Sequence, residues 1–345
     1  MGINSKKPIR IKDIAAHLGL SSATISIVLN KSKGYERISD ETKKRVLEYC
    51  EEANFQPNYF AKGLKERVSR QIAVVVSSVN NQFSPQLISG VRTILSDVGY
   101  VTVIIEAGYS SDAADIEKIK ASIGRIVSGG VDGIIAHIPS IWSDIEPVIK
   151  NKVPVVRVDE DKNKVPCVGF DQEYAGYCLT KHFLEQGCKS IAFVNSNIDS
   201  YTYISRYNGY KKALLEEGIE VDESLVKNVD ALLEGGVAAC NWLMNQKKLP
   251  RAVIAATDVI AHPLLFGLLA AGIKIPEQIA IASIDDTAYS KLFTPSLTSV
   301  YVPAIEMGER AAKLILDLIG GRDHTEQYIE VPIKLNIRKS SIISN

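Results

Sequence analysis

Residues 11–30 of the chain read IKDIAAHLGLSSATISIVLN and contain two short helical patterns on either side of Gly19. Ala15 lies four residues before this glycine, and Ile25 lies six residues after it. Two helices that cross steeply need a small side chain where their backbones approach. They also need a turn residue that tolerates positive φ and a branched apolar side chain from the second helix. The stretch therefore predicts two helices that cross over a tight turn.

The residues that follow extend this pattern to a third helix. Ser21 is a suitable N-cap for the second helix, and Ser39 with its following acidic residues is a suitable start for the third. The apolar positions at helical spacing predict one small core and are Ile14, Leu18, Leu20, Ile25, Val28, Val46, Leu47 and Cys50. Units of this kind place their second helix in the major groove of DNA. A surface helical hairpin of another soluble protein is the alternative.

Charge separates this segment from the rest of the chain. Residues 1–70 carry 14 lysines and arginines against 8 aspartates and glutamates, whereas the whole chain carries 40 of each. The formal net charge of zero therefore combines a basic segment at +6 with an acidic remainder at −6. This asymmetry is typical of a small domain that neutralises phosphates and releases their counterions. A solvated lysine-rich tail would explain Lys6 and Lys7 but not the basic residues that continue as far as Arg45.

Residues 57–66, PNYFAKGLKE, form the next distinct segment. Pro57 suits the first turn of a helix because the amide hydrogen it lacks is not needed there. Gly63 costs a helix roughly 1 kcal/mol relative to alanine, and helices of about three turns are marginal in water. We therefore expect a hinge that becomes helical only when a partner holds it. An ordinary interdomain linker is the alternative.

Residues 10–64 together resemble the lactose-repressor (LacI/GalR) family of bacterial transcription regulators. The motifs that carry the resemblance are IKDIA at 11–15, LSxxTIS at 20–26, VLN at 28–30, SxET at 39–42 and PNxxAKGL at 57–64. The resemblance implies a homodimer whose two hinges fold on double-stranded operator DNA, with Leu64 wedged into the minor groove. The DNA-binding residues predicted in this way are Ser21, Ser22, Ala23, Thr24, Ser26, Ile27, Asn30, Asn58, Ala61, Lys62 and Leu64.

The rest of the chain alternates short apolar runs with helical patterns, which predicts two units with parallel sheets. The predicted strands of the first unit are 72–76, 101–105, 133–138 and 153–158, and those of the second are 165–170, 191–194, 252–256 and 279–284. Apolar residues 297–302 and a helix at 304–319 are expected to cross back and join the two units.

The predicted fold class is therefore α/β. We expect an N-terminal three-helix helix-turn-helix head at residues 1–56 and a hinge helix at residues 57–70. Residues 71–345 are expected to form an effector-binding and dimerisation domain with two interleaved lobes and parallel sheets. The two-lobed, periplasmic-binding-protein-like form of this domain is what the family resemblance implies.

Acidic residues follow several of the predicted strands, at the edge where parallel sheets bind ligands. Carboxylates and a guanidinium that face a cleft suit a polyhydroxylated ligand, because each forms paired hydrogen bonds with neighbouring hydroxyls. Each acid alone is more often a turn or cap residue, and Asp286 can be interpreted in that way. Their joint placement and their match to the family's effector contacts predict an effector site. Its residues are Phe83, Asp159, Asp171, Arg206, Asp258 and Asp285.

The chain departs from the family at several of these positions. Ile27 stands where many members have an arginine that reads guanine, so we expect an apolar contact such as one with a thymine methyl group. Thr257 replaces an asparagine, Glu160 replaces an arginine, and the second aromatic residue after Phe83 is missing. The resemblance therefore predicts a sugar or related polar metabolite without naming it.

Catalytic function has little support in the sequence. The chain has no nucleophile elbow, Walker loop or dinucleotide-binding glycine motif, and its five cysteines form no Cys-x-x-Cys pair. We predict no catalytic residue, cofactor or metal. The rival interpretations are a sugar-binding module of the periplasmic type without a DNA role and, with less support, a carboxylate-based enzyme built on Asp285 and Asp286.

Targeting signals are also missing from the sequence. The start, MGINSKK, has no apolar core and is not a secretory signal. The apolar stretch 252–275 contains Asp258, His262 and Pro263, and is therefore interpreted as a buried strand and helix rather than a membrane span. We predict a cytoplasmic, dimeric repressor with no membrane partner.

Overall fold

The computed structural model describes residues 9–55, 68–108, 112–138, 141–150, 152–324 and 326–343. The chain divides into two compact units, Met1–Ser69 and Arg70–Asn345. The domain boundaries at residues 56 and 70 stay predictions, because the hinge between them falls largely on residues 56–67, outside the described ranges.

The first unit contains three helices, α1 (Ile11–Leu18), α2 (Ser22–Asn30) and α3 (Asp40–Glu52). Gly19 ends α1 at φ +65°, a conformation that favours glycine, and its N–H donates to the Ala15 carbonyl. The Ser21 hydroxyl caps α2 by accepting from the Thr24 N–H at 3.0 Å, and Ser39 caps α3 in the same way. The predicted helix starts and the turn at Gly19 are therefore confirmed.

The core of the first unit matches the predicted apolar set with one exception. The buried members are Ile14, Ala15, Ile25, Val28, Val46 and Cys50, with Leu18 and Leu20 packed against them. Leu47 is 47% exposed, so its assignment to the core was wrong. Val46 and Cys50 are four residues apart and share one face of α3, whereas a residue next to Val46 is turned about 100° away from it.

The second unit contains two lobes, and the chain enters the first lobe at β1. The elements as far as its first crossing are β1 (Gln71–Val76), α4 (Phe83–Asp97), β2 (Val101–Glu106), α5 (Ala113–Gly129), β3 (Gly133–His137), α6 (Trp142–Ile149), β4 (Val155–Val158) and β5 (Cys167–Gly169).

The chain then crosses to the second lobe. The elements there are α7 (Gln172–Glu185), β6 (Ile191–Ser196), α8 (Tyr201–Glu216), β7 (Val226–Val229), α9 (Leu233–Met244), β8 (Ala252–Ala255), α10 (Asp258–Ala270), β9 (Ala280–Asp285) and β10 (Thr298–Tyr301). Helix α11 (Ala304–Ile319) and strand β11 (Tyr328–Glu330) return to the first lobe, and β12 (Lys334–Asn336) ends in the second.

Each lobe is built on a six-stranded sheet. The first has the order β11-β5-β4-β3-β1-β2 and the second the order β12-β10-β9-β8-β6-β7. All described neighbours are parallel except β12, which pairs antiparallel with β10. The predicted α/β fold with two parallel sheets is confirmed. The return of the helix at 304–319 is confirmed as well, since α11 packs on α4.

Two details of the predicted strands differ from the structure. The strand predicted at 165–170 is β5 and belongs to the first sheet, because the chain leaves the first lobe only after it. Strands β7, β11 and β12 were missed, since their sequences VKNV, YIE and KLN are short and mix apolar with polar residues. Edge strands such as these lack the continuous apolar run of a buried strand.

Helices cover both faces of each sheet and position the residues of the site. Helices α7 and α8 pack closely together on the second sheet. A Cβ atom on Gly176 of α7 would lie 1.9 Å from the carbonyl oxygen of Arg206 in α8, so only glycine permits this approach. The crossing thereby fixes Arg206 against the ends of the second sheet's strands. No described helix is both long enough and apolar enough to cross a membrane.

Candidate functional site

A cleft lies at the carboxyl ends of both sheets of the second unit, where parallel sheets bind ligands. It contains about 850 Å³ of empty space, part of which is open to solvent. The first lobe contributes Phe83 at the start of α4, His137 at the end of β3 and Asp159 after β4. The second lobe contributes, among other residues, Ser200, Thr202, Arg206, Thr257, Asp258 and Asp285. Five of the six predicted effector residues therefore line one cleft.

Among the described residues that line this cleft, Arg206 is the one basic residue other than histidine, and its side chain is only 4% exposed. Its Nε donates to Gln172 Oε1 at 2.7 Å, and its Nη1 donates to the carbonyl oxygen of Ala256. Its Nη2 lies 3.7 Å from Asp285 Oδ1. The guanidinium therefore links α7, the end of β8 and the end of β9.

Asp159 faces Arg206 from the first lobe. It accepts hydrogen bonds from the Gln172 amide and from the Thr202 hydroxyl, and His137 Nε2 lies 3.8 Å from its carboxylate. Burial raises the pKa of Asp159, but the neighbouring His137 and the Arg206 charge outweigh burial, so the pKa falls below its ordinary value. Because Gln172 and Thr202 belong to the second lobe, Asp159 already connects the two lobes.

Asp258 lies in the wall of the cleft with a carboxylate that is fully engaged. One oxygen accepts from the Ser283 and Ser299 hydroxyls. The other accepts from the Thr287 N–H and hydroxyl and from the Ser290 hydroxyl, at 2.7, 2.8 and 2.5 Å. Ser283 and Ser299 face each other in the register of β9 and β10, which explains their convergence. Asp258 therefore holds the wall together and has no acceptor position left for a ligand.

The sequence analysis missed these four hydroxyl residues as parts of the site. Serines and threonines scattered between residues 283 and 299 carry no spacing signal of their own. The register of β9 and β10 would have found Ser283 and Ser299, and the fold of the segment after β9 would have found Thr287 and Ser290, but the sequence alone supplies neither.

Asp285 lines the cleft and has a strained backbone. Its φ is 119°, a backbone conformation that L-residues rarely adopt. Burial raises its pKa to about 7; the Arg206 charge lowers the pKa and the Asp258 charge raises it. A carboxyl group of this kind exchanges its proton near neutral pH and can either donate or accept a hydrogen bond.

This pKa predicts how Asp285 affects stability. The folded-state pKa lies above the unfolded value, so the unfolded chain loses the proton first and the contribution of Asp285 falls as pH rises from about 4 to 7. Asp285→Asn removes this dependence. We expect its free energy of unfolding, relative to the natural chain, to increase by about 2–3 kcal/mol between pH 5 and pH 8 in urea titrations. A difference that is constant with pH would contradict the raised pKa.

Three buried polar atoms of the described cleft residues have no hydrogen-bond partner in this part of the chain. They are His137 Nδ1, Ser200 Oγ and Thr257 Oγ1. Since buried polar groups are nearly always paired, these atoms are suited to receive the hydroxyls of a ligand. His137 belongs to the first lobe and the other two to the second, so one ligand can bridge both. The Phe83 ring lies 4.7 Å from the His137 ring, between centroids, and offers an apolar face beside them.

Two acids lie outside the cleft. Asp171 is exposed and caps α7, where its Oδ1 accepts from the Tyr174 N–H at 2.8 Å. The prediction of Asp171 as an effector contact is therefore not supported, because Asp171 lies between the end of β5 at Gly169 and the start of α7 at Gln172, where the helix needs a cap. Asp286 forms a bidentate ion pair with Arg338 at 2.6 and 2.9 Å, which holds the carboxyl-terminal segment. Neighbouring Asp285 and Asp286 thus have different partners and form no catalytic pair.

The predicted DNA-binding residues of the first unit lie on or next to α2. Ser21, Ser22 and Ala23 are exposed at its start, whereas Thr24, Ser26, Ile27 and Asn30 are half-buried. A Cβ on Gly34 would lie 3.8 Å from Ile27 Cδ1, so Ile27 also borders the following turn. Asn58, Ala61, Lys62 and Leu64 lie outside the described residues. The DNA contacts of all these residues stay predictions.

Comparison with known families supplies the remaining observation. Residues 10–58 match the model of bacterial regulatory proteins of the lacI family, and residues 180–341 match that of the periplasmic binding protein-like domain. The chain belongs to the LacI family.

Among the described residues, no three His, Cys, Asp or Glu side chains are grouped so that they could hold a metal ion.

Similar proteins agree with this membership over nearly the whole length. Catabolite control protein A of Priestia megaterium is 27% identical over 337 residues, covering 96% of this chain and 99% of its own. The transcriptional repressor PurR of Haemophilus influenzae is 28% identical over 336 residues, covering 96% and 98%. This LacI-family chain is therefore an effector-controlled, DNA-binding transcriptional regulator and not an enzyme.

Solved structures show the same fold. The transcriptional regulator CelR in complex with cellobiose has a TM-score of 0.72 at 27% identity, covering 96% of this chain and 100% of its own. The lac repressor dimer bound to operator and the anti-inducer ONPF has a TM-score of 0.87 at 23% identity, covering 97% and 100%. At 23% identity, the similarity to the lac repressor structure supports the fold alone.

Proposed function

We propose that this regulator is a homodimeric repressor whose affinity for operator DNA is set by a sugar or related polar metabolite bound between its two lobes. The observation that carries the proposal is the cleft itself, where Arg206, Asp159 and Asp285 surround unpaired polar atoms from both lobes. Such convergent polar groups beside an aromatic ring are typical of sites for polyhydroxylated ligands.

The named relatives support the finer parts of this proposal. CelR was solved with cellobiose, and the lac repressor was solved as a dimer on its operator. We assign residues 1–56 to the DNA-binding head, 57–70 to the hinge and 71–345 to effector binding and dimerisation. Such a repressor would act in the cytoplasm, where bacterial operator DNA lies.

The mechanism requires that the effector stabilise one arrangement of the two lobes over another. A ligand that bonds to His137 in the first lobe and to Ser200 or Thr257 in the second favours a closed cleft. The effector changes operator affinity only by its differential affinity for the two arrangements. Asp159 bonds across the cleft to Gln172 and Thr202, so a change in the arrangement of the lobes alters these two hydrogen bonds.

The direct test is a selection of DNA fragments bound by the full chain, repeated over a panel of sugars and nucleosides. We expect one enriched operator sequence whose recovery changes with a member of the panel. Binding of the enriched fragment should also weaken steeply as salt rises, because the basic head releases counterions. Failure to enrich any sequence would contradict the DNA-binding role, and enrichment that no compound alters would contradict control by this class of effector.

The hinge assignment gives a second prediction. Leu64→Ala removes the apolar wedge that the family resemblance assigns to Leu64, and we expect specific operator binding to weaken by at least about tenfold while nonspecific DNA binding is unchanged. Equal loss on the operator and on unrelated DNA, measured by fluorescence anisotropy, would exclude a wedge at this position. Leu47→Ala is a suitable control, because Leu47 is an exposed leucine of the same unit.

A further inference from the structure

The charges that line the cleft are unequal. Three carboxylates, those of Asp159, Asp258 and Asp285, face one guanidinium, that of Arg206. No lysine is found among the lining residues that the structure describes. With all three acids ionised, these carboxylates and the guanidinium together carry a formal charge of −2. A ligand with its own negative charge would enter against this field, which is strong where water is largely excluded.

Arg206 does not offset this field for an incoming anion. Two of its three guanidinium nitrogens already donate to Gln172 and Ala256, and the third lies 3.7 Å from Asp285 Oδ1. Since its side chain is 4% exposed, an anion could approach it only by displacing these partners. Because Nε and Nη1 each donate to the protein and Nη2 lies beside the Asp285 carboxylate, a phosphate or carboxylate would compete with these partners for the guanidinium.

The unpaired atoms of the cleft are suited to neutral ligand groups. His137 Nδ1, Ser200 Oγ and Thr257 Oγ1 can each hydrogen-bond to a ligand hydroxyl, and none of these three groups belongs to a lysine or an arginine. Thr257 presents a hydroxyl at a buried position after β8. The three atoms form a recognition set for hydroxyl groups rather than for anions.

We infer that the cleft selects an uncharged, polyhydroxylated effector and rejects its phosphorylated and carboxylated derivatives, with Asp285 as the residue that determines this selectivity. The inference rests on the proposed function and narrows its ligand class. Asp285 is singled out because its side chain is 19% exposed, whereas that of Asp258 is 1% exposed and fully bonded, and that of Asp159 is 7% exposed.

Matched pairs of compounds test the selectivity. Calorimetric titration of the full chain at pH 8, above the pKa of Asp285, would use glucose with glucose 6-phosphate and glucuronate, ribose with ribose 5-phosphate, and adenosine with its monophosphate. We expect any neutral member that binds to do so at least about tenfold more tightly than its anionic partner. An anionic member that binds as tightly as its neutral partner, or more tightly, would overturn the inference.

A substitution tests the role of Asp285. Asp285→Asn should narrow the ratio of neutral to anionic affinity by about tenfold, and this ratio cancels any loss of binding common to both ligands. Asp171→Asn is the matched control, since it removes one charge from an exposed cap and asparagine still caps a helix. An unchanged ratio in a folded Asp285→Asn chain would overturn the assignment, and a poorly folded variant leaves the matched-pair result of the natural chain as the deciding test.

These outcomes separate the inference from the proposed function. A response of operator binding to an anionic compound at the same or a lower concentration than to its neutral partner overturns the charge selectivity and leaves effector control in place. Binding by no compound, neutral or anionic, contradicts the proposed function and the inference with it.

Discussion

Asp258→Ala is expected to lower the free energy of unfolding of the second unit by about 3–5 kcal/mol. The substitution removes a buried carboxylate that accepts from the hydroxyls of Ser283, Ser299, Thr287 and Ser290 and from one backbone N–H. Each donor left unsatisfied costs about 1–3 kcal/mol. The total is smaller than the sum, because the hydroxyls can rotate toward one another. Urea unfolding monitored by circular dichroism would measure the loss.

Asp258→Asn provides the informative comparison. The NH2 group of its amide can point toward the Ser283 and Ser299 hydroxyls, which can turn round and accept a hydrogen bond. Its oxygen can point toward the Thr287 N–H, which can only donate. We therefore expect a smaller loss than for alanine. Asp171→Ala, which removes an exposed cap, should cost about 1 kcal/mol. A loss for Asp258→Ala no larger than that of Asp171→Ala would contradict the structural role given to Asp258.

Arg206→Met is expected to weaken effector binding by at least about 100-fold while leaving operator binding without effector within about twofold. Arg206 positions Gln172, the Ala256 carbonyl and Asp285 around the ligand site, and methionine keeps much of its volume without the charge. Breaking a buried ion pair also costs stability. Because the Arg206 charge lowers the pKa of Asp285, we expect that pKa to rise further in the variant. Operator titrations with and without effector would measure the change in effector binding and the change in operator binding.

Lys212→Met is the matched control for this prediction. Lys212 lies on the same helix, α8, and its ammonium forms a surface ion pair with Glu173 at 2.9 Å. Exposed pairs contribute little, so the variant should respond to effector as the natural chain does. An intact effector response in Arg206→Met would place the effector site elsewhere.

The sequence was sufficient to predict the fold where local rules agree with the final packing. Gly19, Ser21 and Ser39 mark their turns and caps through backbone requirements that are local, and the buried central strands are continuous apolar runs. The short edge strands β7, β11 and β12 carry no such run, and the lobe to which β5 belongs depends on where the chain crosses. These features are set by tertiary pairing and could not be predicted from local patterns.

The site also combines features that the local sequence predicts with features that only the folded structure determines. Acids that follow strands predicted the cleft, because the carboxyl ends of parallel strands meet at one edge. The sequence did not distinguish Asp258, which is saturated internally, from Asp285, which is open to the cleft, since both follow apolar strands. It also missed His137, Ser200 and Thr257 as unpaired donors or acceptors, because pairing is a property of the folded structure.

The central claim is that the cleft and the DNA-binding head are energetically coupled, and one reciprocal measurement tests it. Operator affinity is measured with and without saturating effector, and effector affinity is measured with and without saturating operator. Linkage requires the two affinity ratios to be equal, and we expect a common factor of about 5–150. A ratio of one in both titrations, with both ligands binding, would contradict the account.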